Sequence, residues 1–276
     1  MTSTVSLSLR ETERVGEYDT LYRRGQLPVM QAIEQRACGC TYGATGWATR
    51  TEADRIAAVL RLGPGVRLLE IGAGSGWPSL YLAVKSGCDL TLTDLPVDGL
   101  KIAMERASRE GIDWRCRAVI ASATWLPFLD GSFDVINQTD VLCCLVQKAT
   151  ALSECRRVIR PGGRMACSLI YVPTGLDTED HARAVQAAPE FVEVDTEYPA
   201  LFAATGWVIV EQKDLTGAFA ASCKDMLAAE EALRADVEAA LGVDEAVRQR
   251  VRMTQRVTVL ERQHLKRELF ILEAAT

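Results

Sequence analysis

Glu70-Ile71-Gly72-Ala73-Gly74-Ser75-Gly76 places a glycine at every second position behind an acidic residue. Backbone N–H groups in such a turn come close to a ligand, because no side chain stands where the chain bends. Farther along, the run Leu90-Thr91-Leu92-Thr93 ends in Asp94, a carboxylate able to accept hydrogen bonds from both hydroxyls of a ribose about twenty residues after the turn. Glycine turn and acid together read as a nucleoside-binding pair. A dinucleotide fingerprint counted from Gly72 needs a glycine at position 77, and Trp77 stands there, so a nicotinamide cofactor fits badly.

The surrounding elements must position this pair. A helix is expected over 52–62, where Ile56, Val59 and Leu60 fall at helical spacing before Gly63-Pro64-Gly65 stops it. A strand over 66–71 runs into the glycine turn, and Pro78 suits the first turn of a helix over 78–86. The text continues as strand 90–93, helix 97–110, strand 116–120, strand 133–137, helix 150–159 and strand 164–171. After Pro173 it becomes less regular. Helix 198–205 and strand 207–212 follow, then roughly fifty residues of alanine- and charge-rich helix broken at Gly242, and a final strand over 268–273. Ahead of the core lie a frayed start, helices over 14–24 and 28–38, and a glycine loop over 40–46.

Strands alternating with helices predict a parallel sheet covered on both faces. Ligands of such sheets sit beyond the carboxyl ends of the strands, which brings in Asn137-Gln138-Thr139-Asp140. The expected layout is a flap over 1–50, a core over 51–215, a helical cap insertion over 216–265 and a last core strand over 266–276.

The chain has 276 residues, 48% hydrophobic and 25% charged, a globular composition large enough for a substantial core. A net charge of −6 would repel a phosphate backbone, so nucleic acid is not an expected partner. Neither a signal-type start nor an apolar run of membrane-spanning length is visible. The nine cysteines lack a disulfide-framework spacing and read as reduced thiols. A cytoplasmic protein without a membrane partner or a bound metal is therefore expected, since Cys38-Gly-Cys40 has no second ligand pair.

With Leu68 to Gly76, Asp94, the stretch Leu126-Pro127-Phe128-Leu129-Asp130-Gly131-Ser132-Phe133-Asp134 and Arg157-Val158-Ile159-Arg160-Pro161-Gly162-Gly163 in hand, the sequence resembles the class I S-adenosylmethionine-dependent methyltransferases. The branch it resembles holds the small-molecule enzymes of ubiquinone, menaquinone and sterol type, and the likeness covers about 52–169. It implies an α/β protein with a Rossmann-like seven-stranded methyltransferase sheet, helices on both faces and a reversed hairpin of the last two strands, to which this chain's helical cap is added. It also implies S-adenosyl-L-methionine as cofactor and a small-molecule acceptor, methylated on O, N, S or C by in-line displacement. The alternatives are an NAD(P)-dependent oxidoreductase, or a protein of this fold that binds the cofactor without transferring its methyl group.

Carried over residue by residue, the resemblance implies that Glu70, Gly72, Ala73, Gly74 and Gly76 shape the pocket for the amino-acid end of the cofactor. Asp94 would hold the ribose and Leu95 would pack on adenine. Ala121-Ser122-Ala123 stands where the family often has Gly-Asp-Ala, so the adenine contact departs from the pattern and would fall to the hydroxyl or backbone of Ser122, beside Ala123. Asn137 and Gln138 would border the cofactor near the methyl group.

If the acceptor must lose a proton, a group near pKa 7 helps, and histidine is the usual choice. Of the two histidines, His181 follows the fifth strand, where related enzymes build the acceptor pocket, and is the candidate base; the alternative is a solvated loop residue. Asp140 is the second candidate, against a role as helix cap. His264, among Arg262, Lys266 and Arg267 on the last helix, is expected to be exposed. Cys143 and Cys144 are expected to be core. Tyr18, Tyr22, Tyr42 and Trp47 cluster in the flap, where aromatic faces suit a sulfonium cation. Arg248, Arg250, Arg252, Arg256 and Arg262 read as a solvated face, with an anionic acceptor or a homodimer partner as the alternative. Val243, Val247 and Val251, four apart, suggest that one side of that helix is buried.

Overall fold

A computed structural model describes residues 9–275; the frayed start expected at the amino terminus falls largely outside the described residues. Two helices, α1 (Leu9–Gly25) and α2 (Pro28–Cys38), precede the core, the second with proline in its first turn and Gly39 in the left-handed conformation as its stop. Helix α3 (Arg50–Val59) is capped by Thr49, whose hydroxyl accepts from the Glu52 N–H at 3.2 Å.

The core then alternates: β1 (Arg67–Ile71), α4 (Ser79–Ser86), β2 (Asp89–Asp94), α5 (Val97–Arg109), β3 (Cys116–Ile120), β4 (Phe133–Thr139), α6 (Lys148–Val158) and β5 (Ile159–Tyr171). Next come α7 (Thr178–Ala187), α8 (Tyr198–Ala204), β6 (Trp207–Asp214), three cap helices α9 (Thr216–Ala232), α10 (Arg234–Leu241) and α11 (Val243–Glu261), and β7 (Lys266–Ala274).

The seven strands form one sheet in the order β3-β2-β1-β4-β5-β7-β6, with β7 antiparallel to both of its neighbours. Leu68 to Ile71 of β1 are all buried, as a central strand covered on both faces requires. Strand order reverses between β1 and β4, where Glu70 lies in register with Asn137 and Ile71 with Gln138. The crevice at that switch point is where such sheets hold ligands.

One apolar cluster joins Ile33 of α2 to Ala229, Val237 and Ala246 of the cap helices. Another joins Trp47 to Phe219, Ile170 and Leu260, with the Trp47 and Phe219 rings 4.8 Å apart. The amino-terminal helices and the late helices thus pack together over the carboxyl end of the sheet.

Three expectations are corrected. The stretch after Pro173 contains a regular helix, α7, capped by the Asp177 carboxylate accepting from the Asp180 N–H at 2.8 Å, and His181 belongs to it rather than to a loop. Val243, Val247 and Val251 face solvent, at 59, 45 and 50% exposure. The buried side of α11 is made by Ala246, Val259 and Leu260, with Met253 and Val257 partly covered. Apolar residues at four-residue spacing mark a stripe along a helix without saying which side of it is covered. Finally, His264 lies beyond α11 and is mostly covered, its Nδ1 3.6 Å from Asp180, while Lys266 and Arg267 open β7.

Candidate active site

Beyond the carboxyl ends of β1, β2 and β4 lies a cavity of about 610 Å³. Its lining runs from the β1 turn (Gly72 to Ser75) through Asp94, Leu95, Ser122 and Thr139 to Asp140, and out to α1, α7 and α11.

The turn needs its glycines. Gly72 and Gly74 have φ of 67° and 48°, in the left-handed region that side chains disfavour. A Cβ at Gly74 would stand 2.7 Å from the Tyr22 ring, and one at Gly72 2.6 Å from Val141. Tyr22 is therefore wedged against the turn from α1. Gly76 lies outside the cavity lining, its amide donating to the Ala73 carbonyl at 2.8 Å to close the turn.

Asp94, at the end of β2, accepts from the Gly74 N–H at 2.7 Å and from the Leu95 N–H at 2.8 Å. Burial pushes its pKa up to about 6, against the pull of those two amides. Its carboxylate is thus fixed against the glycine turn while lining the cavity. Ser75 lines the same region, and its buried hydroxyl has no hydrogen-bond partner.

Glu70 sits beneath the turn and does not reach the cavity lining. It accepts from the Asn137 amide at 2.7 Å and from the Ser79 hydroxyl, and burial raises its pKa to about 8 despite both bonds. Asn137 Oδ1 is left without a partner. Gln138 is also buried below the site, its amide 3.7 Å from the Met165 sulfur. Thr139 and Asp140, the next two residues, do reach the lining. Ser122 contributes a hydroxyl 2.8 Å from that of Thr124, whereas Ala123 is packed into the core.

Asp140 has φ of 58° and a carboxylate engaged on every side. Its oxygens lie 2.9 and 3.1 Å from Arg267 Nε, 2.9 Å from the Ser168 hydroxyl and 3.1 Å from the Trp47 amide. Arg267, fully buried, also donates to Glu52 at 2.8 Å. Burial opposes its charge, but the two carboxylates outweigh that and raise its pKa. Burial raises that of Glu52 too, against the attraction of Arg267.

His181 is 45% exposed on α7 with Nε2 3.9 Å from Glu193. Neither histidine is among the cavity-lining residues. Cys143 is buried in the core, while Cys144 lines the cavity with its sulfur 3.2 Å from the Tyr18 hydroxyl. Tyr18 and Tyr22, one turn apart, stack along the cavity with centroids 6.0 Å apart. Tyr42 instead packs on Trp77, whose indole N–H donates to the Ala48 carbonyl at 2.7 Å.

Sequence reasoning missed Arg267 as the partner of Asp140, and Ser75, Arg14 and Phe191 as lining. Arg267 carried a signal: a charge two residues before the apolar run Leu269 to Leu272, in what proves to be the same strand.

Residues 69–167 match the family described as "Methyltransferase domain". The chain is 32% identical over 164 residues to "Methyltransferase GfsG" of Streptomyces halstedii, covering 57% of this chain and 58% of that protein. It is 33% identical over 135 residues to "27-O-demethylrifamycin SV methyltransferase" of Amycolatopsis mediterranei, covering 48% and 50%. The chain thus spans about half the length of these curated relatives. Phosphoethanolamine N-methyltransferase 2 of Haemonchus contortus superposes with a TM-score of 0.77 at 17% identity, over 94% of this chain and 60% of that one. The [4+2]-cyclase SpnF superposes with 0.74 at 18% identity over 96% of each chain. The fold is that of the Rossmann-like methyltransferases.

Proposed function

We propose that this chain, with a methyltransferase domain at residues 69–167, transfers the methyl group of S-adenosyl-L-methionine to a small molecule. The observation that carries the reading is Asp94, pinned by two backbone amides beside a left-handed glycine turn and lining the cavity. The residues suit the cofactor. Asp94 would take the ribose hydroxyls, Gly72, Ala73, Gly74 and the unpartnered Ser75 hydroxyl its amino-acid end, and Leu95 with Ser122 its base. Glu70, Gly76, Asn137, Gln138 and Ala123 would support that surface from beneath.

The bound sulfonium supplies a methyl group on a leaving group that already carries positive charge. What remains for the protein is to orient the acceptor and exclude water, and these can supply much of the rate. Tyr18, Tyr22 and Trp47 line the cavity, and the Asp140–Arg267 pair fixes the end of β4 that forms its floor. No histidine is among the cavity-lining residues, which supports positioning and desolvation rather than an imidazole base as the source of the rate. The names of the relatives, and a charge of −6, support a small acceptor rather than nucleic acid.

Fold alone would not carry the activity, since a [4+2]-cyclase shares it. Calorimetric titration with S-adenosylmethionine, S-adenosylhomocysteine and NADH tests the reading. Binding of the first two and not the third is expected; binding of NADH alone would overturn it.

A further inference from the structure

Most charges facing the cavity are answered inside the chain. Asp140 meets Arg267, Asp94 meets two amides, and Arg14 pairs with Glu17 and with Glu190 at 3.2 Å. Arg252 and Arg256 differ. They stand one turn apart on α11 and both line the cavity. Among the described residues no ion pair includes either one, whereas Arg248 of the same helix pairs with Glu245 at 2.7 Å.

Arg256 donates from Nε to the Ala187 carbonyl at 2.9 Å and lies over the Trp47 ring at 5.5 Å. That bond uses one of its five N–H donors. Burial works against its charge and lowers its pKa. A guanidinium partly withdrawn from water without an anion is disfavoured, and a carboxylate or phosphate on the open fork would offset that cost. The cavity lining also includes the apolar Leu145, Ile170, Val185, Ala188 and Phe191, with Gln147, Gln186 and Glu190 as polar members among them.

We infer that Arg252 and Arg256 form an anion subsite, and that the acceptor carries a carboxylate or phosphate on an apolar body. The word acceptor rests on the methyl-transfer reading; the subsite itself rests on the lining of the cavity.

The test is calorimetric titration of the full chain, with and without S-adenosylhomocysteine, using 4-phenylbutyrate, 4-phenylbutyl phosphate and the neutral 4-phenylbutan-1-ol as probes. At least one anion is expected to bind about tenfold or more tightly than the alcohol, the scale of charge-assisted pairing, and which anion does so separates carboxylate from phosphate. Arg252→Gln and Arg256→Gln should each reduce that preference about threefold or more while the affinity for S-adenosylhomocysteine stays as in the parent. Equal binding of the alcohol, no binding of either anion at millimolar concentration, or a preference that survives both substitutions would overturn the subsite. Should Arg256→Gln fail to fold, Arg252→Gln on the exposed side of α11 and Arg256→Lys, which keeps the charge without the fork, decide the matter. No binding of S-adenosylhomocysteine by the parent chain, with the anion preference intact, would sink the methyl-transfer reading instead.

Discussion

Arg267, in the second position of β7, grips Asp140 at the end of β4 with its Nε 2.9 and 3.1 Å from the two carboxylate oxygens. Both side chains are buried, and the same guanidinium reaches Glu52 at 2.8 Å. A last strand, a central strand and the helix leading into the core are thereby tied at one point under the cavity. Removing one member leaves a buried charge short of a partner, and leaving one wholly unpaired typically costs about 3–5 kcal/mol. Arg267→Met is expected to destabilise by that order, and more than Asp140→Asn, because it leaves two buried carboxylates. The double variant should cost less than the sum of the singles. Denaturant unfolding of the four proteins measures this, and simple additivity would show that the pair is not coupled.

Asp94→Ala should weaken S-adenosylhomocysteine binding by about 1.5–3 kcal/mol, the scale of hydrogen bonds to a charged group. A carboxylate with pKa about 6 also makes affinity fall as pH drops through 6, because the protonated acid loses acceptor capacity. Asp94→Asn should flatten that dependence. Titrations at pH 5 to 8 read both effects, and an unchanged affinity in Asp94→Ala would mean that the ribose lies elsewhere.

Glu70 gives a stability effect with a definite sign. Its pKa rises from 4.5 to about 8 on folding, so the folded chain binds the proton more tightly than the unfolded one. The corresponding stability is fully present below about pH 4.5 and is lost as pH rises through 8. Glu70→Gln keeps the shape without the titration and should therefore gain on the parent with rising pH, by on the order of a few kcal/mol at most. Unfolding free energies of both proteins at pH 5 and pH 8 provide the comparison; parallel changes would rule out Glu70 as the source.

His181→Ala should leave turnover within about twofold of the parent across pH 6 to 9, because the imidazole is half-exposed on α7 and off the cavity. A lost alkaline or acid limb in the rate profile would restore it as the base.

How much of this was readable beforehand follows from which interactions are local. The glycine turn, Asp94 and the alternation of strands and helices are short-range patterns, and β3 (Cys116–Ile120) matches its expected bounds to the residue. The floor of the site is not local: Asp140 and Arg267 are 127 positions apart, and nothing in the sequence near either one names the other. The same reason hid the wall of the cavity. Tyr22 lies against Gly74 and Arg256 against Trp47 only because the amino-terminal and late helices pack together. The exposed valines of α11 show the limit of periodicity, which finds a stripe but not what covers it.

The strand order has a consequence for how the chain comes into being. β7 is made last, yet it lies between β5 and β6 and supplies every hydrogen bond that joins them. During synthesis, β6 has no neighbour to pair with, and Asp140 no counter-charge, until residues 266–274 have left the ribosome. Contacts of such long sequence separation slow folding. The nascent methyltransferase core would wait with one sheet edge open and its floor unassembled, a stage at which chaperone occupancy should be greatest.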